Sequence, residues 1–124
     1  MIYPSSHYGR DALVGIALFL THLAKKNMSM SELRASYPNY VISKNKVELT
    51  PSIDIDNLVS KISKKYSHVE QNVIDGLKLE FEDEWVHLRK SNTEPIIRIY
   101  AESKDVEKAN MLASRFVEEV KSLM

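Results

Sequence analysis

The sequence contains no cysteine, which excludes a disulfide framework, thiolate metal sites and cysteine nucleophiles, and fits a cytoplasmic protein. It also lacks an excess of charge of either sign. Seventeen Lys and Arg balance 17 Asp and Glu, so there is no overall positive field to concentrate nucleic acid or an anionic membrane, and any anion site must be local. Long apolar runs are missing as well. The longest, residues 12–20, falls short of the roughly 18–20 residues a spanning helix needs and reads as a buried helix. No secretory signal pattern precedes it. At 124 residues there is room for one compact domain, or a small domain plus a piece of another, and not for a large multidomain enzyme. Internal repeats and low-complexity segments are absent.

What is present reads as two parts. Residues 2–4 look like the stub of a strand, so the chain is expected to begin in mid-architecture. From residue 10 to 26, Leu13, Ile16, Ala17, Leu20, Leu23 and Ala24 follow helical spacing, with Val14, Leu18 and Phe19 making further faces apolar. Asn27 is placed to stop this helix, and Ser29 followed by Glu32 resembles a capping box that opens a short one. Tyr37-Pro38 marks the boundary. Beyond it, residues 40–49 read as a strand with a polar middle, Thr50-Pro51 as a turn, and 55–66 as an amphipathic helix with Leu58, Val59 and Ile62 on its stripe. Asp75-Gly76 breaks the chain before strands at 77–81, 85–90 and 96–101, and a long final helix carries Val106, Ala109, Leu112, Ala113, Phe116, Val117, Val120 and Leu123. The expected fold class is α+β: an antiparallel sheet of about four strands with two helices packed on one face, preceded by a helical segment. The expected domains are residues 1–38 and 39–124.

The stretch from Arg89 to Arg98 carries the chemistry. If its two strands pair symmetrically about the loop, Arg89 faces Arg98 directly, and like charges opposite each other destabilise a sheet. A phosphate between the guanidinium groups would compensate through bidentate, charge-assisted hydrogen bonds. Ser91, Asn92 and Thr93 add side-chain donors, and their backbone N–H groups suit an anion-binding nest. A hairpin with a polar loop and two solvated arginines is the plainer alternative. Glu94 is discordant: it must point away from an anion or orient an arginine.

Arg89-Lys90-Ser91-Asn92-Thr93-Glu94-Pro95 followed by Arg98 resembles the phosphate-binding loop in the C-terminal domain of the phosphoglucomutase/phosphomannomutase (α-D-phosphohexomutase) family. The likeness runs from near Asn39 to the end, and the helix-rich start resembles the tail of the preceding sugar-recognition domain, so residues 1–38 are expected to be a helical fragment of an α/β domain. The resemblance implies an enzyme that moves phosphate between C6 and C1 of a hexose through a phosphoserine and a bisphosphate intermediate. Arg89, Ser91, Asn92, Thr93 and Arg98 match its substrate-phosphate loop position by position. The phosphoserine loop and the aspartate-rich loop that holds Mg²⁺ in such enzymes are not in this sequence, so no catalytic or metal-binding residue is expected here, and the chain alone should be inactive. Its expected partners are a phosphosugar and the upstream domains of its own enzyme, with no nucleic acid and no membrane. Arg10 sits where the family's sugar-reading loop would end and is a candidate substrate contact; equally, Arg10 and Asp11 simply open a helix. Asp54 and Asp56 superficially resemble metal ligands but lie at a helix start, where acids are commonplace. His22, His68 and His87 read as structural or surface residues. The competing reading is an independent, non-catalytic α+β module binding a protein or nucleic acid, which the balanced charge and the lack of a stacked aromatic pair disfavour for nucleic acid.

Overall fold

The computed structural model describes residues 1–50 and 53–124; Pro51, part of the expected turn, lies outside them. Met1–Pro38 and Asn39–Met124 form two compact units. In the first, α1 (Ala12–Lys26) starts at Asp11, whose carboxylate accepts the Val14 N–H at 3.0 Å. Asn27, at φ 50°, closes it in the left-handed conformation, and Lys25 and Lys26 sit at the negative end of its dipole. The capping box is present at the start of α2 (Met30–Ala35). Ser29 Oγ accepts the Glu32 N–H, and Glu32 Oε2 accepts the Ser29 N–H at 2.8 Å. The Ser29 hydroxyl, which donates to Glu32 Oε2 at 2.7 Å, and after it the Ser29 N–H hold the Glu32 carboxyl below the usual range. The expected strand at 2–4 is reduced to a single bridge between Tyr3 and His7.

The run at 12–20 forms a helix but not a buried one. No residue of α1 is buried, and Leu13, Ile16 and Leu20 are more than half exposed. Caps at both ends and helical spacing mark its limits, whereas burial requires a cover for each apolar face. Amide hydrogen exchange in α1 is therefore expected to be faster than in the last helix by about two orders of magnitude or more. Equal protection in a monomer would contradict this account.

The second unit runs β1 (Val41–Glu48), α3 (Ile55–Lys65), β2 (Glu70–Asn72), β3 (Leu77–Glu80), β4 (Trp85–Lys90), β5 (Ile96–Ser103), α4 (Val106–Ser122). The strands form one antiparallel sheet in the order β1-β5-β4-β3-β2. The α+β class is as expected, but the described residues hold five strands rather than four. The additional strand, β2, is only Glu-Gln-Asn and has no apolar alternation to reveal it. It is held by Gln71, whose side-chain nitrogen donates to the Ser63 and Tyr66 carbonyls at 2.9 Å each and whose oxygen accepts from Ser63 Oγ at 2.6 Å.

Alternation sorts the sheet into two faces. Val47, Leu77, Leu79, Val86, Leu88, Ile97, Ile99 and Ala101 point into one core with Leu58 and Ile62 of α3 and Leu112, Ala113, Phe116 and Val120 of α4. Both helices thus cover the same face. Tyr66, at the end of α3, donates its hydroxyl to Glu119 at 2.8 Å and accepts from Arg115 at 2.9 Å, which ties α3 to α4. Burial pushes that hydroxyl's pKa up. The opposite face is polar and carries Lys44, Lys46, Arg98, Tyr100, His87 and Arg89.

Candidate functional site

The site is built where β4 hands over to β5. Arg89 pairs directly with Arg98, and Lys90 with Ile97, before the connecting loop at 91–95. Because Ile97, Ile99 and Ala101 point into the core, the intervening Arg98 and Tyr100 must take the other face, and His87 and Arg89 meet them there. These four side chains line a cavity of about 120 Å³.

Two guanidinium groups held side by side require counter-charge, and each has one nearby. Arg89 Nε lies 3.1 Å from Asp75 Oδ2, and Arg98 Nη2 lies 3.6 Å from Glu94 Oε2. Glu94 therefore orients an arginine rather than pointing away. Both pairs are largely exposed, where an ion pair is worth at most about 1 kcal/mol. A dianion can displace such partners. Asp75 is presented by the turn before β3 and also accepts, through its carbonyl, a 2.6 Å contact from His87 Nε2.

The loop is tightly organised. The Ser91 N–H donates to the Ile96 carbonyl at 3.0 Å, and the Ile96 N–H to the Glu94 carbonyl at 2.8 Å. Ser91 is buried, with Thr93 N–H and Oγ1 both 3.5 Å from its hydroxyl, while Asn92 and Thr93 are exposed. The expected nest of three backbone donors is thus reduced. Closing the hairpin consumes the Ser91 N–H and turns that of Thr93 inward; among the described residues, only the Asn92 N–H of the three has no partner within the chain.

The structure brings Arg89, Ser91, Asn92, Thr93 and Arg98 to one end of the sheet. Arg10 is exposed in the other unit, next to Asp11. Asp11 accepts from the Val14 N–H and from His7 Nε2 at 2.9 Å, and these bonds, the backbone one first, hold its carboxyl below the usual range. Asp54 is spent as the cap of α3, accepting the Asn57 N–H at 3.0 Å. Among the described residues no three His, Asp or Glu side chains are grouped to hold a metal ion, and no helix is long and apolar enough to cross a membrane. Asp75 and His87 were not legible as neighbours of the arginines: the only signal was the Asp-Gly turn itself.

An α+β domain with paired arginines and hydroxyl donors around a hairpin loop has the groups that recognition of an anion requires. Residues 46–119 match the family model for the phosphoglucomutase/phosphomannomutase C-terminal domain, and the chain belongs to that family. It is 43% identical over 115 residues to the phosphoglucosamine/phosphogalactosamine mutase of Sulfurisphaera tokodaii, covering 91% of this chain and 25% of that protein. With the phosphoglucomutase/phosphomannomutase of Thermococcus kodakarensis it shares 35% over 111 residues, covering 88% and 24%. The crystal structure of a phosphoglucomutase/phosphomannomutase family protein from Burkholderia thailandensis superposes with a TM-score of 0.54 at 25% identity, covering 75% of this chain and 20% of that one. The chain spans about a quarter of the length of the curated relatives it matches.

Proposed function

We propose that this chain holds the non-reacting phosphate of a sugar phosphate in a phosphohexomutase that moves phosphate reversibly between C6 and C1 through a phosphoserine and a bisphosphate intermediate. The observation that carries this reading is the direct pairing of Arg89 with Arg98 at the mouth of a loop bearing Ser91, Asn92 and Thr93. Phosphate displaces the Asp75 and Glu94 carboxylates, and the guanidinium groups take it bidentately. The intermediate must turn around between half-reactions, so one clamp has to accept either phosphate; exposed arginines and hydroxyls suit that task better than a closely shaped pocket. Holding the distant phosphate sets the reacting oxygen in line with the phosphoserine, the positioning on which phosphoryl transfer depends. The phosphoserine and the residues that hold Mg²⁺ belong to the upstream domains of the same cytoplasmic enzyme. The Sulfurisphaera tokodaii relative bears a phosphoglucosamine/phosphogalactosamine name, which makes glucosamine 6-phosphate the first sugar phosphate to try.

The test is a ¹H–¹⁵N NMR titration of the chain with inorganic phosphate. Charge-assisted hydrogen bonds contribute about 1.5–3 kcal/mol each, but ordering the loop and desolvating the anion offset most of it. The expected Kd is therefore on the order of 1 mM, or about 4 kcal/mol. Shifts should centre on Arg89, residues 91–93 and Arg98. The chain alone should interconvert no hexose phosphates even with Mg²⁺ and a bisphosphate activator. Shifts elsewhere, or turnover abolished by changing a residue of this chain, would overturn the assignment.

A further inference from the structure

The antiparallel register extends the arginine pair into a row of three cations. Lys46 on β1 pairs with Arg98 on β5, which pairs with Arg89 on β4. Neighbouring strands lie about 4.8 Å apart, so the three side chains rise from one face within the span of long flexible stems. The outer two strands of this row differ in charge balance. Arg89 has Asp75 and Arg98 has Glu94, whereas Lys46 makes no ion pair or hydrogen bond to another side chain among the described residues, although Glu48 lies two residues on along the same face. Lys44, the other lysine on that face of β1, is engaged differently, with its ammonium 5.8 Å from the centre of the Tyr100 ring. The 120 Å³ cavity is walled on this side by Arg98 and Tyr100, and Lys46 is the next residue outward from Arg98.

We infer that Lys46 is a third phosphate-binding residue, closing the clamp from the β1 side. This rests on the reading of Arg89 and Arg98 as a phosphate clamp. An ammonium suits the outer position: it is a compact point charge on a flexible stem, able to follow either phosphate of the bisphosphate as the sugar turns, while the planar guanidinium groups fix the anion's orientation. Having no carboxylate to release, it contributes without exchanging one ion pair for another.

The experiment measures inorganic phosphate binding by the chain and its variants by the same NMR titration. Lys46→Gln is expected to weaken binding about five-fold, the scale of one partly screened charged contact. Lys46→Arg should retain most of the affinity. Lys44→Gln removes the same formal charge one row further from the arginines and should cost less than about two-fold. Equal weakening by Lys44→Gln and Lys46→Gln would mean a general field effect and overturn direct contact. An unchanged Kd in Lys46→Gln, with binding lost in Arg98→Ala, would overturn the role of Lys46 and leave the clamp standing. Binding indifferent to both arginines, or absent in the unaltered chain, would remove the clamp and Lys46 with it.

Discussion

Arg98→Ala in the complete mutase is expected to lower kcat/KM by on the order of 10²–10⁴-fold and leave the fold intact. The loss follows from two charge-assisted hydrogen bonds to one phosphate, about 1.5–3 kcal/mol each, with no water able to reproduce a guanidinium fork. Arg89→Ala should behave similarly, because the two residues face each other across the same pair of strands. Arg98→Lys should recover part of the activity, since an ammonium keeps the charge and loses the bidentate geometry. The stability arm has the opposite sign. Removing one of two like charges opposite each other relieves repulsion, so Tm should hold or rise slightly. Normal turnover together with a raised Tm would reduce both arginines to surface charges and sink the clamp.

Gly76→Ala is expected to destabilise the second unit by about 3 kcal/mol, an effect set by backbone rather than side-chain chemistry. Gly76 has φ +86°, a left-handed conformation that other residues adopt only with strain. A Cβ there would stand 2.3 Å from the Leu88 carbonyl oxygen and 3.2 Å from Arg89 Cα, both parts of the neighbouring strand's main chain. Neither can rotate away. The turn must lift off β4, and Asp75, one residue earlier, would be drawn from Arg89 and His87. Urea denaturation of Gly76→Ala beside the unaltered chain measures the first effect. A midpoint shift worth less than about 0.5 kcal/mol, the size of an ordinary surface substitution, would show that the turn has room to give.

Local patterns carried most of the fold. Helices with caps and apolar stripes, such as the one from Asp105 to Phe116 and beyond, are readable because capping and 3.6-residue spacing act within a few residues of each other. The facing of Arg89 and Arg98 was also legible, since a symmetric hairpin fixes its own register. Besides the placing of Asp75 and His87 beside the arginines, three features were not. The strand Glu70–Asn72 owes its place to hydrogen bonds from the Gln71 side chain to Ser63 and Tyr66, and no hydrophobic period signals such a contact. Burial of α1 could not be judged from its apolar residues, because spacing reports which faces need covering and not whether a cover is present. Lys46 stayed invisible because strand order is a long-range property: nothing near residue 46 indicates that β1 lies beside β5.

That long-range pairing has a kinetic side. β3, β4 and β5 follow one another through short connections and can zip as successive hairpins, so Arg89 and Arg98 meet early. Lys46 and Arg98 are about fifty residues apart in the chain, and closing so long a loop costs entropy before any contact repays it, which places the docking of β1 late in folding. During synthesis β1 emerges well before β5 and must wait with its main-chain donors and acceptors unpaired. Its middle, Ser-Lys-Asn-Lys at 43–46, suits that interval: charged and polar side chains along a waiting strand hinder its capture by the wrong partner until the last strand arrives.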